Sequence, residues 1–562
     1  MSCMSTSVGC FVGLALLCGA APVASAGDWY VDVGFAGCAS GDGSAGNPFC
    51  GIMDAVAAAS GGDTIHIAPG SYFEHLDVDK DLVLVGTGGR DVTIVDGTSN
   101  GRTLRVQIGV TVDVTGITFT HGLAFPGAGI LVRSNAVLTL TKSSVFRNGD
   151  LNDPTSGGGG IAVASSGTAI LTDCLVEENA SAYEGAGIRM ADLSVVTLTR
   201  CGVNANSTGL DNFGGLGAGI YNVGGTLTIV GSSVSRNYAD KFGDASRGGG
   251  IYTSGGALSI SASSICDNSA FSFYSDASGG GIHVNTANAV FDDVVVTGNA
   301  VSSTMGNGLG AGVYFQQAAT LTHSTFAGNL ATHGGGAYVQ TGLTVTFGHA
   351  ILAGNSSSAG TSPDCDGTLT SAGYVLVGDT TGCVVAGSST GNQLDVDPLF
   401  LDAANGDYRL SVGSPALEAG DPALLLAGTD AAGQPRVLDA DLDRVMVVDL
   451  GGYEFSHVTL AVSGNATPGG TVTLDSTGTS GLALFLFVGT VPGEVLFKPF
   501  GRIFFSLASP WLIVPLGTLP DSTSFVVASN VPVGTIVFLQ DLAFDPPSSG
   551  GNLSNAVEVR IE

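Results

Sequence analysis

An apolar residue followed three positions later by asparagine recurs eight times along the middle of the chain. The asparagines are Asn148, Asn179, Asn206, Asn237, Asn268, Asn299, Asn329 and Asn355, spaced by 31, 27, 31, 31, 31, 30 and 26 residues. Their apolar partners are Val145, Val176, Val203, Val234, Ile265, Val296, Phe326 and Leu352. Eight positions before each asparagine stand Leu140, Leu171, Leu198, Ile229, Ile260, Phe291, Leu321 and Phe347, and ten before it a second, smaller apolar column. Two columns two residues apart mark one inward face of a strand. A further strand is marked by glycine-rich stretches that end in Ile130, Ile161, Ile188, Ile220, Ile251, Ile282 and Val313.

Each repeat of about 31 residues therefore reads as one coil of β-segments joined by glycine turns. A single coil has no partner against which to bury its apolar side, whereas a stack of identical coils buries one continuous core. This predicts an all-β protein: a right-handed parallel β-helix solenoid over residues 27–455, with clear repeats over about 117–357. The asparagine column is expected to stack as a ladder of side-chain amides, at a turn where asparagine tolerates left-handed backbone geometry. Cys174 and Cys201 share one column five residues before the asparagine, so neighbouring coils bring them within disulfide range. A bridge and two buried thiols are both open readings.

The texture changes at either end. Residues 1–26 carry an apolar core from Phe11 to Leu17 and close on Ala24-Ser25-Ala26, the pattern of a secretory signal peptide. No later apolar run approaches the roughly 20 residues that span a bilayer, so no transmembrane segment is expected in the mature chain. Export permits disulfides, and Cys38 with Cys50 and Cys365 with Cys383 are close enough in sequence to staple loops. Residues 456–562 hold short apolar runs such as HVTLAVSG and GTIVFLQDLAF between proline and glycine turns, which predicts a small C-terminal β-sandwich.

Several phrases in order resemble the bacterial right-handed parallel β-helix repeat proteins of the pectin-lyase-like superfamily, over roughly residues 28–455. The opening, WYVDVGFAG and then NPFCGIMDAVAAASGGDTIHIAPGSYFEHLDV, is similar to an N-terminal cap (about 28–75) in which a short helix at residues 51–59 covers the first coil. The stretches DCDGTLTSAGYVLVGDTTGC, DVDPLFLDAANGDYRLSVGSPALEAGD and VVDLGGYEF resemble the closing segment (358–455) of members that carry a variable C-terminal anchor. The GGGI and asparagine repeats also resemble those of polymorphic outer-membrane adhesins. The tail after Glu454 is short for an autotransporter barrel and lacks the terminal aromatic of such barrels.

Charge narrows the partners. Of 562 residues, 18 are Lys or Arg and 48 are Asp or Glu, a formal net charge of −30, and no Lys or Arg stands between Arg247 and Arg409. Nucleic acid binding needs a basic patch, so a nucleic acid partner is not expected. Polysaccharide or other cell-envelope material is.

The resemblance also prescribes what an enzyme on this fold would need. Pectate-lyase-type chemistry uses Lys or Arg beside Ca²⁺-binding carboxylates; among the bases of the clear repeats, Arg189 has Glu177, Glu178, Glu184 and Asp192 nearby in sequence. A surface ion pair is the plainer expectation for it. Asp292-Asp293 resembles the paired aspartates of polygalacturonases, but the Asn-Thr-Asp, Gly-His-Gly and Arg-Ile-Lys motifs that accompany them are absent. Phe291 is an inward column residue, so Asp293 either points inward as well or sits at the adjacent turn, and the two acids are expected to face opposite ways. One outward column, Tyr221, Tyr252, His283, Tyr314 and Tyr338, is either cross-coil packing or a ligand-binding stripe for carbohydrate. Asp439, Asp441 and Asp443 alternate as ligands of a structural Ca²⁺ would, although Arg444 and Leu450 depart from the EF-hand pattern. No catalytic residue and no definite cofactor is assigned. The expected protein is a secreted or cell-surface β-helix, non-enzymatic, that binds glycan or cell-envelope material or serves as adhesin or scaffold; the alternative is a polysaccharide lyase or glycoside hydrolase.

Overall fold

In the strand Val137–Thr141, alternation buries Leu138 and Leu140 and turns Val137, Thr139 and Thr141 outward. The same strand returns in the next coils as Thr168–Thr172, Val195–Thr199 and Thr226–Val230, paired in parallel and in register. Leu140 faces Leu171, and the column continues through Leu198, Ile229, Ile260, Phe291, Leu321 and Phe347, all at 0% exposure. Each such side chain contributes about 1.5–3 kcal/mol by burial, and only the neighbouring coils supply the apolar surface.

The computed structural model describes residues 26–562 except 150–157, 183, 210–214, 425–428, 433, 435, 437, 439–446 and 457, and, in the tail, 465–470, 479–482, 490–491, 498–500, 506–510, 519–520, 527–535, 546–549, 554–556 and 561–562. The fold is the right-handed parallel β-helix that the repeat predicts. Each coil runs through three faces. The first holds Val137–Thr141, the second Ser144–Phe146 with the buried Val145 column, and the third Ile130–Val132 with the buried Ile130 column. After the asparagine comes a short fourth run, stacked from Ala180–Ser181 to Ser356–Ser357.

The asparagines form a ladder. Asn206 donates its backbone N–H (3.0 Å) and its Nδ2 (2.9 Å) to Oδ1 of Asn237, and Nδ2 also reaches the carbonyl of Val176 at 2.9 Å. The pattern repeats from Asn148 to Asn355, and every member is buried. The left-handed residue is not the asparagine itself, however, but the one before it: Arg147, Glu178, Ala205, Arg236 and Asp267 have φ of 52 to 57°. The asparagine is required for its amide, and its neighbour makes the turn. The glycine lead-in answers to the same ladder, because a Cβ on Gly219 would stand 2.6 Å from the carbonyl of Gly250 and 2.9 Å from the amide of Asn237.

Both ends are closed. The helix Ile52–Ala58 buries Ile52, Ala55 and Val56 against the first coil, and the Glu74 carboxylate accepts the N–H groups of Ile52 and Met53, each at 2.8 Å. At the other end Asp364 continues the ladder by accepting both N–H and Nδ2 of Asn355. Cys38–Cys50 and Cys365–Cys383 are disulfides, as expected. Cys174 and Cys201 are not bridged; they are buried free thiols whose S–H groups turn onto the carbonyls of Thr172 and Thr199. Their column is a polar one, occupied by Ser143 and Ser232 in flanking coils, whose hydroxyls accept N–H groups from the coil before.

The closing segment folds back on the last coils. Leu410, Ala416 and Leu450 pack with Ile351 and Leu376, and Gly452 N–H donates to Thr325 Oγ1 at 2.9 Å. In the tail, Thr471–Gly478 lies antiparallel between Val458–Gly464 and Asp521–Val526, and Ala483–Gly489 between Trp511–Thr518 and Ile536–Asp545. These are the antiparallel sheets that a sandwich is built from. Among the described residues no helix is long and apolar enough to cross a membrane.

Candidate functional site

Between the first and second faces each coil turns through a residue with positive φ, and these residues stack along one corner. They include Lys142, Asp173, Arg200, Ala262, Asp293, His323, His349 and Tyr374, at φ of 46 to 59°. The left-handed turn at 293 breaks strand alternation, so Asp292 and Asp293 do not face opposite ways as the sequence pattern predicts. Their carboxylates and the His323 ring converge, one donor atom from each lying within 4.8 Å of the others.

Protein groups engage both carboxylates of that convergence. His323 Nδ1 and Thr322 Oγ1 meet the same oxygen of Asp292, at 3.0 and 2.6 Å. The His323 hydrogen bond, followed by that from Thr322, holds the Asp292 carboxyl below its ordinary value despite partial burial. Asp293 is paired with Arg436, a fully buried arginine of the closing segment that also bonds Glu454 at 2.7 Å. His323 stacks on His349 (5.1 Å between ring centroids), which stacks on Tyr374 (4.9 Å); burial, and then His323, lowers His349 to about 4. Beneath Arg436 lie three buried acids. Burial raises Glu454, Asp449 and Asp430, the last to about 8 even though the N–H groups of Ala432, Gln434 and Glu454 donate to it.

Two converging carboxylates are what a glycosidase places across its scissile bond. Such a pair also needs one carboxyl raised to serve as acid, and here the exposed member is lowered. Asp292, Asp293 and His323 have the donor types of a divalent-cation site, but Arg436 already neutralises Asp293. Asp439, Asp441 and Asp443, the sequence-predicted Ca²⁺ ligands, lie outside the described residues. Arg189 forms an ion pair, 3.6 Å from Glu184, but not the surface pair expected, for both side chains are about three-quarters buried.

The aromatic column lies on the outer side of the third face and forms a continuous rail. Arg189, Tyr221, Tyr252, His283, Tyr314 and Tyr338 occupy one register. Ring centroids are separated by 5.4, 5.2, 4.9 and 5.2 Å from Tyr221 to Tyr338, at interplanar angles of 11 to 30°. The ring faces are thus spent on one another, leaving edges. Tight glycine turns lead into the rail, where a Cβ on Gly248 or Gly279 would stand 2.7 Å from the backbone nitrogen of Tyr252 or His283. Tyr252 and His283 are 8% and 2% exposed. His283 meets Ser278 Oγ at 2.9 Å and Gln316 Oε1 at 3.3 Å, and burial, with Arg247 adding, lowers it to about 3, so it is neutral. Burial, and then Glu184, pushes Tyr221 up to about 12.

A second aromatic group falls outside both repeating columns and escapes sequence reasoning. Phe242 and Phe273 stack at 4.9 Å, and Tyr274 meets both edge-on, at 5.1 and 4.7 Å. Phe242, Tyr274 and the adjacent Met305 are 45%, 50% and 67% exposed. The available signal was the run FSFYSD just after the ladder asparagine Asn268.

Residues 77–265 match a family model described as a right-handed beta helix region. No curated protein and no solved structure matches the chain.

Proposed function

We propose that this right-handed β-helix is an exported protein, secreted or held at the cell surface, that binds polysaccharide or other cell-envelope polymer without cleaving it. The observation that carries the reading is the locked corner. At the corner where Asp292 and Asp293 converge, Arg436 pairs with Asp293 and His323 with Asp292, so neither carboxylate is free of a protein partner. The two disulfides suit an oxidising compartment. A solenoid that offers one flank over many coils suits an extended polymer; along that flank Tyr221, Tyr314 and Tyr338 are partly exposed.

The test is to incubate the full chain with neutral and acidic polysaccharides, with and without Ca²⁺, and to measure sedimentation with the polymer alongside reducing ends and unsaturated products. Binding without turnover is expected. A second reading, glycoside hydrolysis at the corner, is favoured only by the 4.8 Å convergence of Asp292, Asp293 and His323. Turnover abolished by Asp292→Asn would establish that reading in place of the first.

A further inference from the structure

We infer that the exposed aromatic cluster of Phe242, Phe273 and Tyr274, with Met305 beside it, is a docking platform for uncharged sugar rings; this rests on the polysaccharide-binding reading above and specifies its site and ligand class. Unlike the buried Tyr252 and His283 of the tyrosine rail, Phe242 and Tyr274 are exposed, with Phe273 half-buried between them. Phe242 and Phe273 stack on one ring face, and Tyr274 stands nearly perpendicular to both. A sugar ring packs its C–H face on an aromatic face of this kind, as aromatic partners do.

The platform is rigid, which removes most of the ordering entropy that a mobile loop would lose on binding. Parallel pairing of Tyr238–Lys241 with Ser269–Ser272 continues into the turn: Phe273 N–H donates to Lys241 O at 3.1 Å, and Met305 N–H to Phe273 O at 3.0 Å. Ser272 Oγ donates to Asp244 O and Ser303 Oγ to Ser275 O, at 2.8 and 2.7 Å, so successive loops are pinned to one another. The exposed aromatics are therefore held in place by the stack and not by each other alone.

Size and charge select the occupant. Full burial of an aromatic covers about 150–250 Å², so three rings already half covered offer a few hundred Å² at most. A stable protein interface takes about 800 Å² from each partner, whereas one or two sugar rings fit. Asp244 and Asp276 are exposed beside the rings, and Lys241 is committed to Asp244 at 3.4 Å. With a net charge of −30 on the chain, a polyuronate would be repelled. A neutral glycan meets aromatic faces and carboxylate acceptors for its hydroxyls.

The experiment measures affinity of the full chain for a soluble neutral β-glucan oligosaccharide and for a polygalacturonate, in the natural sequence and in Phe242→Ala, Tyr274→Ala and the double variant. Thermal unfolding is recorded for each, and the exposed positions should leave it unchanged. The expected result is binding of the neutral glycan alone, weakened about tenfold or more by the double variant. Neutral-glycan affinity unchanged in folded variants overturns the platform and leaves the binding reading standing. Binding of polygalacturonate alone does the same through the charge requirement. If no polysaccharide binds the natural sequence, both readings fall together.

Discussion

Replacing Asn237 by alanine removes the centre of the amide ladder, and the consequences can be counted bond by bond. The Asn237 side chain donates to Asn268 Oδ1 and Val203 O, each at 2.9 Å, and its Oδ1 accepts N–H and Nδ2 of Asn206. Asn268 Oδ1 keeps the Asn237 backbone N–H (3.0 Å), and Asn206 Nδ2 keeps the Val176 carbonyl. The Asn206 backbone N–H is left without its acceptor at a site with 0% exposure, where an unsatisfied group costs about 1–3 kcal/mol. Three further bonds lost outright add about 0.5–1.5 kcal/mol each, so destabilisation of about 2.5–7.5 kcal/mol is expected. By contrast, alanine at the outward Thr228 should stay within about 0.5 kcal/mol. Because solenoids need not unfold in one step, the assay is native-state hydrogen exchange together with thermal unfolding. The Asn206 amide should lose protection before the third-face strand of the same coil does. A change below about 1 kcal/mol, or unaltered protection at Asn206, would refute the ladder as a source of stability.

Two further outcomes follow from buried charge. Arg436→Met strands Asp293 and the fully buried Glu454, so it should lower stability by about 3–5 kcal/mol, and adding Glu454→Gln should recover part of the loss in thermal unfolding; a neutral Arg436→Met would show that the arginine clasp holds nothing. Asp364, where the ladder ends, is raised to about 6, by burial above all, so its contribution to stability is full below the unfolded value near 3.8 and is lost as pH rises through about 6. The natural chain should therefore gain stability on acidification across that window, and Asp364→Asn, which extends the amide ladder, should show a flatter profile; identical profiles would contradict the assignment.

The coil, its inward columns and the ladder were legible in the sequence because a solenoid sets each residue against its own counterpart one period away. Leu140 must meet Leu171, and Asn206 must meet Asn237, once the period is known. The parallel solenoid and the two short-range disulfides followed from equally local patterns, and the helical cap from the resemblance of the opening to known β-helix repeat proteins. What the sequence could not show is what lies across the coil or far along it. Arg436 reaches Asp293 over 143 residues, with no periodicity to announce the pairing. The left-handed turn at Asp293 brought together two acids that alternation would separate, since a single φ reversal redirects a side chain that strand periodicity treats as determined. The rail of Tyr221 to Tyr338 was visible as a column, but the burial of Tyr252 and His283 was decided by the neighbours packed around them. Which ring faces remain open to a ligand depends on that covering, and covering is a property of packed neighbours in space.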